Sequence, residues 1–360
     1  MKLYKDIKFK QVDKMIDKSF QADSVFLHHT GFMYGIGTSI DSEAGIKRIL
    51  QLKSRTSADG FVVLVSDIQD IIEVVDEIDS RTIRLMEQYL PGNVTFVLKC
   101  SDPRFSKVAQ QGTVAFRVPQ NPVLCYFIDQ IGSPIISSSV NRVGLSPATD
   151  LKVITKDYDD WFDFGFTTSK PFQIADDQPS TIIKISEGIE CLREASVPFY
   201  EIKQGYEKSL ILFVCTGNVC RSPIAEYLLK KKIKELNLPF RSASAGVLQD
   251  GMIISANSSV LLLEAGIDAS NHLSRKLTEE MIRDSWLILS MEEKHKEFFA
   301  KNYPQYGRKV STLLEFCGGG GDIEDPYQES IEKYKIAFKI IEENIDCLIE
   351  ILKEEVKIDD

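Results

Sequence analysis

LFVCTGNVCRSPIAE, residues Leu212 to Glu226, runs an apolar strand into a cysteine, a Gly-Asn turn, a second cysteine, an arginine and Ser-Pro. Packing alone does not select such a stretch. Leu210–Val214 reads as a short buried strand, and Ser222-Pro223 opens a helix with proline in a favoured first-turn position. The loop between them therefore lies at a helix N-terminus, where backbone N–H groups and the helix dipole favour an anion. Gly217 permits a tight turn, and Asn218 tolerates a left-handed backbone. Arg221, six residues after Cys215, can curl back and grip two phosphate oxygens. The same positive surroundings favour the thiolate of Cys215 as nucleophile, with the Ser222 hydroxyl as a donor to it. Thr216, Val219 and Cys220 complete the phosphate-binding loop.

This set suits phosphoryl transfer through a cysteinyl-phosphate. The leaving oxygen then needs an acid. The candidate is Asp325 in GDIEDPYQES, held by Pro326; Glu324 beside it lacks the rigid following proline. A bare Cys-x5-Arg arises by chance in roughly a third of such chains. The strand before it, Gly-Asn within it, Ser-Pro after it and Asp-Pro downstream make it a site.

The remainder of the chain sets the frame. At 360 residues it is long enough for two domains. Cations are scattered, with Lys230–Lys232 the tightest run, and the net charge is -10, so a small anionic ligand fits better than a long polyanion. Seven cysteines at irregular spacing read as reduced thiols, and no Cys/His cluster has zinc spacing, so no metal site is expected. MKLYKDIKFKQVDKMIDKSF has no signal-peptide core, and no apolar run spans a bilayer, so the expectation is a cytoplasmic protein without membrane contact.

Strand-like runs alternate with amphipathic stretches throughout, the mark of an α/β architecture. Strands are expected at Ser24–His29, Phe61–Ser66, Val94–Lys99, Thr113–Val118, Ile135–Ser139 and Thr181–Ile185, with helices at Ser42–Leu52, Ile68–Ile78, Thr82–Leu90 and Pro122–Ile131. The polar segment Lys203–Lys208 marks the boundary, giving domains 1–203 and 209–360. The second half repeats the alternation and closes on a long helix. Its stripe of Ile331, Tyr334, Phe338, Ile341, Ile345, Leu348 and Leu352 is expected to lie on the sheet.

Residues about 209–355 resemble the low-molecular-weight protein tyrosine phosphatase family. VCTGNVCRSPIAE matches the family loop, Ser244-Ala245-Gly246 its supporting element, Ile288–Met291 the next strand, and Asp325-Pro326-Tyr327 the acid loop. The resemblance implies a central parallel sheet flanked by helices. It makes Cys215 the nucleophile, Arg221 the phosphate clamp, Asp325 the general acid and Ser244 the partner of Asn218. Cys220 becomes a thiol able to form a protective disulfide with Cys215, and no cofactor is implied. Family members that act on phosphoarginine carry threonine after the loop asparagine. Val219 stands there, and with Tyr327 it favours an aromatic ring, so the expected substrate is a phosphotyrosine protein, with phosphoarginine the alternative. His272 and His295 are not needed by this chemistry and read as ordinary structural or surface residues.

In the first half, cations and hydroxyls gather at strand ends, as in a nucleotide-phosphate pocket. Their order resembles the YrdC family of threonylcarbamoyl-adenylate synthases over residues about 15–200. The matching elements are Tyr34-Gly35-Ile36-Gly37, Lys53-x-Arg55, Pro91–Lys99, Arg117-Val118-Pro119, Ser138–Asn141, Ser180-Thr181 and Leu192-Arg193. The resemblance implies a twisted open sheet with a concave site. It implies threonine, bicarbonate and ATP with Mg²⁺ as substrates, and an indirect link to tRNA through the product. Lys53, Arg55, Ser139, Asn141, Ser146, Ser180 and Arg193 would line the nucleotide side, and Thr30 and Arg117 would face threonine. The sequence departs from the family at Gly31, Phe32, Thr56, Gly60 and Val143. Two readings therefore stand: a bifunctional enzyme, or a phosphatase carrying a nucleotide- or RNA-binding module without synthase chemistry, Phe32 filling part of the threonine site.

Overall fold

The computed structural model describes residues 1–57, 61–168, 172–248 and 250–357; Gly60 lies outside them. The chain forms two compact units, one of Met1–Ile78 with Tyr89–Tyr200, the other of Asp79–Gln88 with Glu201–Asp360.

The first unit is built on ten strands: β1 (Lys2–Tyr4), β2 (Phe26–His29), β3 (Tyr34–Ser39), β4 (Val62–Leu64), β5 (Val94–Lys99), β6 (Thr113–Arg117), β7 (Ile135–Ser139), β8 (Phe164–Phe166), β9 (Thr181–Ile185) and β10 (Ile189–Arg193). They form one mixed sheet in the order β1-β8-β2-β3-β7-β4-β6-β5-β9-β10. Helices Phe9–Ser19 and Pro122–Ile131 bury Val12, Met15, Val123, Leu124 and Phe127 against Phe26, Phe164 and Phe166. Asn121 caps the second of these, its side chain accepting from Val123 N, with proline at the first turn. The expected strands Val94–Lys99, Ile135–Ser139 and Thr181–Ile185 stand with those bounds. Ile68–Ile78 is helical only over Ile68–Ile72. β3 was not expected, because Tyr34-Gly35-Ile36-Gly37 carries two glycines and reads as a turn.

The second unit has four parallel strands, β11 (Ser209–Cys215), β12 (Phe240–Gly246), β13 (Ser285–Ser290) and β14 (Val310–Thr312), in the order β12-β11-β13-β14. All seven residues of β11 are buried, as a central parallel strand covered on both faces requires. Its alternation divides the core. Ile211, Phe213 and Cys215 face helix Arg221–Leu236 and the closing helix Ile331–Lys357, through Ile224, Leu228, Ile341, Ile345, Leu348 and Leu352. Leu212 and Val214 face Ile282, Phe299 and Val310 on the other side. Each such side chain contributes roughly 1.5–3 kcal/mol by burial.

The polar segment Lys203–Lys208 is not a linker. It belongs to helix Phe199–Glu207, which buries Ile202, Gly205 and Tyr206 and pairs buried Glu201 with Arg283 at 2.7 Å. The spacing 199, 202, 206 is helical, and the intervening charges concealed it. The segment Asp79–Gln88 also joins the second unit. Trp286 Nε1 donates to Glu87 at 2.8 Å, and the buried Lys309 ammonium donates to the carbonyls of Ser285, Arg283 and Gln88 at 2.8, 2.9 and 3.3 Å. A single cut between 203 and 209 does not draw this division, because contacts in space define it. Among the described residues no helix is long and apolar enough to cross a membrane.

Candidate active sites

Cys215 ends β11, and Arg221 begins the following helix, so strand end and helix start fix the two ends of the loop. Asn218 takes the left-handed conformation, at φ 54°. Gly217 does not, and a Cβ there would meet only Val219 Cγ2, at 3.7 Å, so the left-handed residue of the turn is Asn218, as its tolerance for that backbone suggested. Gly246, at the end of β12, presses on the loop instead. A Cβ there would lie 2.9 Å from Asn218 N, Gly217 C and Thr216 O.

A hydrogen-bond network leads to the Cys215 thiol. Arg275 N donates to Asn218 Oδ1 at 2.9 Å, which fixes the amide's orientation. The amide nitrogen then donates to Ser244 Oγ at 2.7 Å and Ser222 Oγ at 2.9 Å. Ser244 Oγ donates onward to the Glu226 carboxylate at 2.5 Å, and Arg275 donates to the same oxygen at 2.7 Å. Ser222, already accepting from Asn218, has its own proton left for Cys215 Sγ, 3.0 Å away. Asn218 N donates to that sulfur at 3.2 Å. Two donors thus converge on Sγ, the arrangement that stabilises a thiolate.

The Arg221 guanidinium is fully buried. Its Nη1 donates to the Ile323 carbonyl at 2.7 Å and lies 3.0 Å from Glu292 Oε1; its Nη2 lies 2.6 Å from Asp325 Oδ2. Nε has no hydrogen-bond partner among the described residues. Arg221 and the candidate acid Asp325 therefore meet. Around the loop, His272 Nε2 lies 3.0 Å from the Asn218 carbonyl and His295 Nε2 2.9 Å from Thr216 Oγ1. Burial pushes His295 down to about 4. Cys220 Sγ lies 3.4 Å from Tyr334 OH; burial raises its pKa, and both it and Cys215 are free thiols. Val219 is buried with Leu261 and Tyr334.

The first unit holds a cavity of about 270 Å³. Thr30, Tyr34, Arg55, Arg117, Ser137–Ser139, Gln178, Ser180 and Arg193 are among its walls, and among the described residues no carboxylate is. Arg117 is buried and donates through Nε to Gly92 O at 2.7 Å; burial, with Arg193, pulls it down to about 9. Arg193 donates to the Ser180 carbonyl at 2.8 Å, and Ser180 Oγ meets Thr95 Oγ1 at 2.8 Å. Arg55 lies 4.6 Å over the Phe61 ring.

The low-molecular-weight phosphotyrosine protein phosphatase family model matches residues 210–358. The protein-arginine-phosphatase of Bacillus subtilis (strain 168) is 38% identical over 146 residues, 40% of this chain and 97% of that protein. The chain belongs to the low-molecular-weight phosphotyrosine protein phosphatase family. The protein-arginine-phosphatase of Geobacillus stearothermophilus is 40% identical over 148 residues, 40% of this chain and 97% of that protein. The probable low molecular weight protein-tyrosine-phosphatase AmsI of Erwinia amylovora is 35% identical over 133 residues, 37% of this chain and 89% of that protein. A second family model, that of Sua5, YciO and YrdC proteins, described as telomere recombination, matches residues 18–195.

The phosphatase unit brings Cys215, Asn218, Arg221, Ser222, Ser244 and Asp325 to one end of its sheet. Reading the sequence missed Glu226, the terminus of the hydrogen-bond chain, and Glu292. It also missed His272 and His295 as loop supports, since a histidine far along the chain carries no local signal. In the YrdC-like unit Thr30, Arg55, Arg117, Ser139, Ser180 and Arg193 line the cavity. Lys53 does not. Its ammonium, drawn down to about 8 by burial and Arg55, donates to Ser139 O, Asn141 O and Asn141 Oδ1 at 2.8, 2.9 and 2.5 Å, holding the loop behind the wall. Asn141 receives it, and Ser146 is exposed beside the wall residue Pro147. Phe32 is not a wall residue either; its ring lies 5.9 Å from the Arg117 guanidinium.

Proposed function

We propose that the second unit hydrolyses phosphomonoesters on protein side chains, with phosphotyrosine as substrate. The Cys215 thiolate attacks phosphorus in line and the leaving oxygen departs with a proton from Asp325. Water then attacks phosphorus, gives a proton to the Asp325 carboxylate and displaces the thiolate, which returns free with phosphate and a protonated Asp325. Arg221 grips two non-bridging oxygens throughout. The observation that carries this reading is the directed chain from Glu226 through Ser244, Asn218 and Ser222 to Cys215. Val219 offers no hydrogen-bonding group at the loop, and half-exposed Tyr327 follows the acid, which favours an aromatic ring. A phosphoarginine substrate is the second reading, supported by the arginine phosphatases at 38% and 40% identity. Comparing kcat/KM on phosphotyrosine and phosphoarginine peptides decides between them. Preference for phosphotyrosine, weakened by Val219→Thr, is expected; preference for phosphoarginine overturns the substrate assignment.

For the first unit we propose synthesis of threonylcarbamoyl-AMP and pyrophosphate from threonine, bicarbonate and ATP, a product that feeds tRNA modification. The cavity walled by Arg55, Arg117, Arg193 and hydroxyls supports a polyanionic ligand. A binding module without synthase chemistry is the second reading, favoured by the sequence departures at Gly31 and Phe32, although neither lines the cavity. Protein incubated with all three substrates should release threonine-dependent product detectable by mass spectrometry, lost in Arg55→Ala. ATP binding without product would favour the module.

A further inference from the structure

Beneath the cavity of the first unit, His28 is fully buried on β2. Its ring crosses β3 through the gap left by Gly35 and Gly37. A Cβ on Gly35 would lie 2.5 Å from His28 Cε1, and one on Gly37 3.1 Å from Cδ2. The ring thereby reaches Ser137 on β7, with 3.1 Å between Nε2 and Oγ. β2 and β7 each pair with β3 and lie on opposite sides of it, so the contact spans a whole strand. The Gly-x-Gly of β3 is thus a seat for an imidazole.

The proton can be placed. Burial, with His29 and Arg117 adding to it, pushes His28 down to about 3, so the ring is neutral. Nδ1 is buried and has no hydrogen-bond partner among the described residues. A buried orphan N–H is disfavoured more than an idle lone pair. The proton therefore sits on Nε2, which donates to Ser137 Oγ. His28 offers Ser137 a proton and no base, so Ser137 is not an activated nucleophile. Its own hydroxyl proton is left for another acceptor, and its side chain lines the cavity. The neighbouring Arg117 Nη2 is buried without a hydrogen-bond partner among the described residues.

We propose that Ser137 is a dedicated hydrogen-bond donor to a phosphoryl oxygen of the ligand in this cavity, and that His28 is the positioning residue that orients it. This rests on the nucleotide reading of the first unit and names a further determinant of it.

ATP titrated calorimetrically into the full chain tests the pair. Ser137→Ala should bind about tenfold more weakly, the worth of one hydrogen bond to a charged group. Ser137→Thr, which keeps the hydroxyl, should restore most of the affinity. His28→Phe keeps a ring over Gly35 and removes the N–H; it should weaken binding less than Ser137→Ala and add nothing in the double variant. Melting curves confirm folding, and the Ser137 pair stands if His28→Phe fails to fold. Wild-type affinity in Ser137→Ala overturns this proposal alone. No ATP binding by wild type overturns the nucleotide reading and this proposal with it. A phosphorylated or adenylylated Ser137 after incubation with ATP also overturns it, since that requires a base.

Discussion

In the second unit eight consecutive residues, Cys215 to Ser222, carry the proposed nucleophile, loop, clamp and first hydroxyl, and only the proposed acid and the supports come from elsewhere. In the first unit the cavity walls come from segments between Thr30 and Arg193, and no two of the three arginines are near in sequence. The hydrogen bonds differ as sharply. Around Cys215 they diverge from the Asn218 amide, one branch ending through Ser222 on the Cys215 sulfur and the other through Ser244 on the Glu226 carboxylate. Around the cavity stand cations and hydroxyls, and among the described residues no carboxylate lines the wall. A site that performs covalent chemistry on a small group must orient one atom, and a closed network does so. A site that holds a polyanion can leave donors for the ligand to complete.

The comparison is most exposed at the nucleophile. Cys215→Ser should lower phosphatase turnover by about four orders of magnitude or more while ATP binding by the first unit is unchanged. Residual turnover near wild type would break the mechanism. Asp325→Asn should slow phenyl phosphate hydrolysis about a hundredfold or more, and p-nitrophenyl phosphate hydrolysis far less, because a good leaving group needs no proton. Equal losses on both would remove Asp325 from the acid role. Ser244→Ala interrupts the chain one residue from the amide and should lower kcat/KM about tenfold, the worth of a buried hydrogen bond left unmade. An unchanged value would mean that Arg275, Ser222, His272 and Gly246 hold Asn218 without Ser244.

The smallest effect separates the units by pH. Burial pushes His28 to about 3 and His29, despite Asp176, to about 4 in the first unit, and His295 to about 4 in the second. Their unfolded value is 6.5, so between pH 6.5 and 4 the unfolded chain binds protons that the native one does not. The stability these groups contribute is present above pH 6.5 and lost as pH falls. From pH 7 to 5.5, where carboxylates stay charged, each costs about 1 kcal/mol. The first unit, with two such histidines, should lose melting temperature faster than the second. His28→Phe should flatten its slope, and equal slopes for the units would count against these burial effects.

Much of the fold was legible where apolar runs are long. β11, the closing helix and strands Val94–Lys99, Ile135–Ser139 and Thr181–Ile185 announced themselves by period and composition. β3 did not, since glycines that seat the His28 ring look locally like a turn. Helix Phe199–Glu207 was hidden by its charges, of which Glu201 is buried and paired with Arg283. Lys53 belongs to a readable motif, yet its ammonium serves the wall's loop and not the cavity.

By itself the sequence determined the two α/β domains and the phosphate-binding loop, because strand, turn, cation and helix start are contiguous and their chemistry is local. Tertiary structure alone decided which carboxylate ends the Asn218 network, that Asp325 rests on Arg221, and that residues 79–88 join the second unit. Those pairings join residues up to hundreds of positions apart, and hydrogen-bond direction is set by geometry that no spacing encodes.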